Sequence, residues 1–241
     1  MSTGKRVVLI AVMALLGLSV TAVTAWRLHK SRTIQLMGVL VTSVQTTDSV
    51  VALSFDDGPS APYTDSILAL LAGYHVPATF FVMGTALERH AALARRMVEQ
   101  GHELGNHSFS HRRMVLLSQR TIRHEVEATD SLIRNAGYTG PIHFRPPYGK
   151  RLVGLPWYLA RTNRTTVLWT LEPDTRYRTA TDMTRHVLDG IRPGSIILMH
   201  VELPVRREER AALPRIIEGL RERGYRFVTV SQLLAHGSPD E

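Results

Sequence analysis

The 241-residue sequence has no cysteine. That absence excludes disulfides, a lipid-modified cysteine and a thiolate metal site, so any metal ion must be held by histidine and carboxylate side chains. There is no internal repeat and no low-complexity tract, which leaves out solenoids and disordered arrays. No acidic residue precedes Asp48, whereas Lys5, Arg6, Arg27, Lys30 and Arg32 all do, so the rest of the chain carries only +3 of the formal net charge of +8. That balance does not mark a nucleic-acid-binding surface, and no nucleic-acid partner is expected. The basic residues near the N-terminus suit anionic headgroups instead.

At 44% hydrophobic content the chain can bury one sizeable core and still carry an appendage. Residues 7–26 are almost continuously apolar and uncharged, and a stretch of about 20 such residues is what a helix needs to cross a bilayer. No polar face interrupts the run, which argues against a buried core helix. The expected organisation is an N-terminal transmembrane or signal helix in residues 1–32, a connector in 33–49 that lays a short strand from 34–44 on the domain, and a globular domain in 50–241. Val23-Thr24-Ala25 offers small residues for signal-peptidase cleavage, but the apolar run is longer than the usual 7–15 residues of a signal peptide. A single-pass anchor in the cytoplasmic membrane with the domain outside is therefore expected; secretion after cleavage near Ala25 is the alternative.

Within the domain, apolar or β-branched runs at 51–55, 78–82, 102–104, 142–145, 166–169, 195–199 and 226–230 predict seven short strands. Amphipathic stretches at 88–100, 119–135 and 208–223 predict helices between them, with Ser118 as an N-cap and Gly101, Gly137 and Gly224 at helix ends. Alternating β and α argues an α/β fold with a parallel sheet covered by helices. About seven units point to a closed or nearly closed barrel, with a doubly wound open sheet as the alternative.

The polar residues sit where a barrel enzyme places its chemistry, at the C-terminal ends of strands. Ser54-Phe55-Asp56-Asp57-Gly58-Pro59 delivers two adjacent carboxylates into a turn. Such a pair repels and needs a cation nearby to stay ionised, unless Asp57-Gly58-Pro59 is turn chemistry alone and Asp56 caps the next helix. His107-Ser108-Phe109-Ser110-His111 spaces two imidazoles four residues apart, expected on one side of a helical turn. With one aspartate they make a three-ligand site with an open position; alternatively, His111 is a surface histidine. Asn106 and Ser108 are placed to support these ligands or to serve the turn. Arg145-Pro146-Pro147-Tyr148-Gly149 is a rigid segment that begins with a fork-shaped cation. The strand at 195–199 runs into His200, which alone would read as a satisfied core histidine.

Together these motifs, in this order, resemble the polysaccharide deacetylase family, carbohydrate esterase family 4, which contains the NodB-type chitooligosaccharide deacetylase domain. The resemblance spans roughly residues 50–234. It implies a deformed (β/α) barrel and metal-dependent removal of N-acetyl groups from amino sugars of a polysaccharide or oligosaccharide. By that likeness Asp57, His107 and His111 bind one divalent metal, commonly zinc, although His/His/Asp ligation also suits cobalt and others. Asp56 is the general base, Arg145 holds it, and His200 is the general acid. The Tyr148 backbone N–H binds the oxyanion, while Leu198 and Trp169 wall the acetyl-methyl pocket. The partner implied is a glycan bearing N-acetylated amino sugars, whether peptidoglycan, a chitin-like oligomer or an exported polysaccharide.

The chemistry agrees, because amide hydrolysis needs a polarised carbonyl, an activated water and a proton for the leaving nitrogen, and each has a candidate. One motif departs. The family's Asp-x-x-Asp-Trp is replaced by Trp169-Thr170-Leu171-Glu172-Pro173-Asp174, with acids differently placed and the trailing Trp missing. Asp174 lies closer to the second acidic position than Glu172 and is expected to orient His200. Two other readings remain: a hydrolase of another C–N bond, such as a formamide on a lipid-linked sugar, and a membrane-anchored glycan-binding protein without turnover.

Overall fold

The computed structural model describes residues 3–239. A long helix, α1 (Thr3–Lys30), is followed by two short strands, β1 (Leu40–Val41) and β2 (Val44–Gln45), where one connector strand was expected. The domain then runs β3 (Val50–Asp56), α2 (Tyr63–Gly73), β4 (Thr79–Val82), α3 (Gly84–Arg89), α4 (Ala91–Glu99), β5 (Glu103–Asn106) and α5 (Gln119–Asn135). It continues with α6 (Gly154–Arg161), β6 (Thr166–Val167), α7 (Ala180–Gly190), β7 (Ile196–Met199), α8 (Arg207–Glu222), β8 (Arg226–Val228), α9 (Val230–Leu234) and β9 (Ser238–Pro239).

Every residue of β3 is buried, as a strand covered on both faces must be. It pairs in parallel with β4, β7 and β8, and β4 pairs in parallel with β5. Single parallel bridges carry the path onward from Asn106 to Phe144 and from Phe144 to Thr166, and Leu171 bridges back to Ile197 of β7. The chain is thus an α/β domain of parallel strands. The strand expected at 142–145 is reduced to the one bridged residue Phe144, because Pro141 before it and Pro146-Pro147 after it lack the N–H groups a ladder needs.

Alternation along the strands sorts the side chains. Val51, Leu53 and Phe55 pack outward with Ile197 and Met199 in the core under the helices, whereas Val50, Ala52, Ile196 and Leu198 belong to a second, inner cluster with Phe81 and Trp169. A period of two therefore puts Ser54 and Asp56 on the inner side of β3, and His200 on the inner side beyond β7.

The helix expected at 119–135 has those bounds, with the Ser118 side chain accepting from Thr121 N–H as its cap. The stretch expected as one helix over 88–100 is two, α3 and α4, because His90 leaves helical dihedrals at φ −133°. Gly101, Gly137 and Gly224 all take positive φ at helix ends. In α1 the apolar side chains of Ile10, Met13, Leu15, Leu16 and Leu18 are exposed. Those of Val7, Val8, Leu9, Ala11 and Ala25 lie outside the described residues, the predicted cleavage position among them. Among the described residues, no helix is long and apolar enough to cross a membrane.

Because the Ser118 hydroxyl satisfies an otherwise orphaned helix N–H, Ser118→Ala is expected to cost about 1 kcal/mol. Denaturant unfolding of the two proteins measures it; identical midpoints would remove the cap from the account.

Candidate metal and catalytic centre

The parallel strands open their C-terminal ends onto one cavity of about 360 Å³. Asp56, Asp57, His107, His111, Tyr148, Trp169, Leu198 and His200 line it, together with Glu172, Thr175 and Arg206. Arg145 and Asp174, both buried, reach the cavity through Asp56 and His200. Every site residue expected from the sequence is brought to this place.

Asp56 closes β3 on the inner face. Its Oδ1 accepts from the Arg145 guanidinium at 2.7 Å, which leaves Oδ2, 3.5 Å from His107 Nε2, as its free oxygen. Arg145 has no exposed surface. Its other N–H groups donate to Ser54 Oγ (3.0 Å), Val167 O (3.3 Å) and Leu168 O (3.1 Å), and the guanidinium stands 3.9 Å from the Phe81 ring centre. Burial pulls the guanidinium pKa down and Asp56 opposes that pull, so each charge is held by the other.

His107 follows β5. Its Nδ1 lies 2.7 Å from the Arg145 carbonyl oxygen, which can only accept, so Nδ1 carries the proton and Nε2 presents a lone pair. Burial depresses its pKa, against the raising effect of Asp56 and Asp57, which suits a neutral ligand.

The segment from His107 to His111 is not the helical turn expected. Ser108 at φ 68° and His111 at φ 56° break any helix, and hydrogen bonds knit the loop instead. Asn106 Oδ1 accepts from Ser108 N–H (2.8 Å) and Ser108 Oγ from His111 N–H (3.1 Å). The buried Glu125 of α5 accepts from Phe109 N–H (3.0 Å), Ser110 N–H (2.8 Å) and the Ser110 hydroxyl (2.7 Å). The loop returns the His111 ring to 5.0 Å from that of His107, centre to centre. Sequence reasoning missed Glu125; its signal was an acid on the buried face of an amphipathic helix.

Asp57 takes the left-handed conformation (φ 75°), which aspartate tolerates. Its Oδ1 lies 3.1 Å from His111 Nε2 and 3.6 Å from His107 Nε2, yet this buried oxygen makes no well-aligned hydrogen bond. Burial raises its pKa, but the three neighbouring imidazoles outweigh burial and hold the carboxyl well below the usual range. Donor atoms of Asp57, His107 and His111 all fall within 4.8 Å of one another. Two imidazoles and one ionised carboxylate with an unpartnered oxygen fit a divalent cation.

His200 follows β7. Its Nδ1 lies 2.9 Å from Asp174 Oδ2, which also accepts from the His200 backbone N–H at 2.6 Å. Burial lowers the imidazole pKa, but the Asp174 bond and charge, with Asp56 and Asp57, carry it up to about 9. A short 3-10 turn, Pro173–Thr175, turns Asp174 inward. Glu172 lines the cavity, and burial raises its pKa. Trp169 and Leu198 are buried walls, while Tyr148, at φ 59°, is 54% exposed and meets the His111 ring edge-on, 4.8 Å centre to centre. Arg206, held by Glu209 at 2.8 Å, and Thr175 were also missed; nothing in their local sequence distinguishes them from surface residues.

A parallel-stranded α/β domain that gathers an Asp/His/His cluster, an arginine-held carboxylate and an aspartate-held histidine has the groups that a hydrolytic metal site needs. The family model described as polysaccharide deacetylase matches residues 43–167, more than half of the sequence. A peptidoglycan-N-acetylglucosamine deacetylase of Bacillus cereus is 31% identical over 202 residues, covering 83% of this chain and 94% of that protein. Peptidoglycan-N-acetylglucosamine deacetylase PgdA of Listeria monocytogenes is 32% identical over 194 residues, covering 78% of this chain but only 39% of that protein, so the match spans about two fifths of that relative. The crystal structure of the Bc1960 peptidoglycan N-acetylglucosamine deacetylase superposes with a TM-score of 0.78 at 30% identity, covering 84% of this chain and 95% of the other. This chain belongs to the polysaccharide deacetylase family.

Removing the Arg145 charge strands a buried carboxylate, and breaking a buried pair from one side typically costs about 3–5 kcal/mol. Arg145→Met is therefore expected to lose about that much stability in denaturant unfolding. A loss below about 1 kcal/mol would show that Asp56 finds another partner.

Proposed function

We propose that this protein hydrolyses N-acetyl groups on the amino sugars of a glycan, with the N-acetylglucosamine of peptidoglycan as its substrate. The observation that carries the reading is one cavity holding the Asp57, His107 and His111 ligand set beside a free carboxylate oxygen of Asp56 and the imidazole of His200. The substrate named for the relatives supports the choice of glycan.

A divalent cation, zinc in this proposal, would be held by Asp57, His107 and His111 and would polarise the acetyl carbonyl and acidify a water. Asp56, fixed by Arg145 through Oδ1, accepts the water's proton at Oδ2. His200 donates a proton to the departing nitrogen, and Asp174 keeps it charged toward neutral pH. The Tyr148 N–H faces the developing oxyanion, and Trp169 with Leu198 encloses the acetyl methyl.

The finer architecture belongs to the same proposal. The path of pairings and bridges from β3 round to β7 supports a deformed (β/α) barrel. Residues 50–241 are its catalytic domain and 33–49 its connector. The exposed apolar side chains of α1 support a membrane-anchor or signal segment in residues 1–32, with the domain outside the cytoplasmic membrane.

Release of acetate from N-acetylated peptidoglycan fragments and chitin-like oligomers, abolished by chelator and restored by zinc, is the expected result. Release of formate alone from N-formyl sugars would favour the other C–N hydrolase, and no turnover on any of them would leave a glycan-binding protein. In the same assays Asp56→Asn should keep its metal and lose activity, while Asp57→Asn should lose both. Turnover by Asp56→Asn near the wild-type rate would require a different base.

The pH dependence carries a sign. His200 must be protonated to act as the acid, so activity falls as pH rises through its pKa, which Asp174 lifts to about 9. Asp174→Asn should pull the alkaline limb of the pH–rate profile to lower pH and reduce turnover, whereas Glu172→Gln changes little. If Glu172→Gln moves that limb and Asp174→Asn does not, the two acids have exchanged roles.

A further inference from the structure

Glu202 stands two residues beyond His200 and is 1% exposed. Burying a carboxylate is costly unless donors surround it, and the donors here all come from the other end of the sequence. Its Oε2 accepts from the Ser60 N–H at 3.0 Å and from the Thr64 hydroxyl, and its main-chain carbonyl accepts from the Ser60 hydroxyl. A Cβ at Gly58 would run into the carboxylate, so the group lies directly against the Asp57-Gly58-Pro59 turn. The far side of that turn is held by Met83 N–H donating to the Gly58 carbonyl at 3.0 Å. The turn is thus clamped between the end of β4 and the segment after His200.

The strands β3 and β7 are neighbours in register, Phe55 opposite Met199. On the β7 side the ladder ends at this pair, and on the β4 side it ends at Asp56 opposite Phe81, so the strand pairing stops just short of Asp57. Glu202 supplies a constraint beyond it. We propose that Glu202 is a positioning residue that ties the Asp56-Asp57 turn to the loop following His200 and so holds the Asp57 carboxylate in its ligating orientation. The inference rests on the metal-site reading above.

The test is chelator competition on the zinc-loaded full chain, with kcat and KM measured alongside. Glu202→Ala should hold zinc about 10–100-fold more weakly, in the range of changes to groups that orient metal ligands, and lose kcat with little change in KM. Glu202→Gln keeps an acceptor oxygen for the Ser60 N–H and should recover most of both. A folded Glu202→Ala protein with wild-type zinc retention and kcat overturns the proposal, even if its Tm falls. Should Glu202→Ala fail to fold, Thr64→Val decides, because it leaves the carboxylate in place and removes one of its donors, together with an acceptor of the Ser60 N–H. A smaller loss of zinc retention supports the clamp, and none overturns it. Wild-type protein that holds no zinc would overturn the metal site itself, an outcome distinct from unaltered retention in the variants.

Discussion

The structure depends on a buried arginine. Arg145 has no exposed surface, and its guanidinium is shared among Asp56, Ser54 and the carbonyls of Val167, at the end of β6, and Leu168 just after it. In a medium of low polarity those donors must be matched to acceptors or the charge is untenable. The inner side of the sheet is therefore built round one cation. The same residue offers its carbonyl to His107 Nδ1. One residue thereby holds both the Oδ1 of a carboxylate and the tautomer of an imidazole. The prolines that follow fix the local chain and leave Arg145 little freedom to move away.

Two histidines of the cavity illustrate how partners override burial. His107 and His200 are both largely withdrawn from water, which alone depresses an imidazole. His107 has a neutral carbonyl for its Nδ1 partner and stays depressed, whereas His200 has the Asp174 carboxylate and rises to about 9. Neutral imidazole is what ligation needs, and imidazolium is what proton donation needs. A single change of partner, carbonyl for carboxylate, suits the two rings to the two tasks proposed for them.

How much of this was legible depended on how far each determinant lay from its partner in sequence. The strand ending in Asp56 was readable because its apolar run and its Gly-Pro turn are adjacent, and the helix at 119–135 because Ser118 and an amphipathic period mark it locally. The strand expected at 142–145 failed because flanking prolines leave the pairing to one residue. The loop from His107 to His111 failed because a spacing of four says helix only when the backbone is helical, and side chains from Asn106, Ser108 and Glu125 impose another path. Glu202 was invisible for the plainest reason: its donor, the Ser60 N–H, lies 142 residues away.

These constraints divide the cavity into a floor and a rim. Asp56, His107, Arg145 and Asp174 are each no more than 3% exposed, and every one is fixed by hydrogen bonds to other strands or loops. Tyr148 is 54% exposed, and Glu172, Thr175 and Arg206 sit on loops around the opening. A floor residue cannot change without stranding a charge or an orphaned donor, while a rim residue meets mostly solvent or substrate. The altered fourth motif fits this division. Its acid at Asp174 still reaches His200, because that contact belongs to the floor, and the missing tryptophan concerns what the loop shows to the substrate. On the proposed reading, reaction chemistry falls to the buried network, and discrimination among glycans to the few loop residues that the network leaves free.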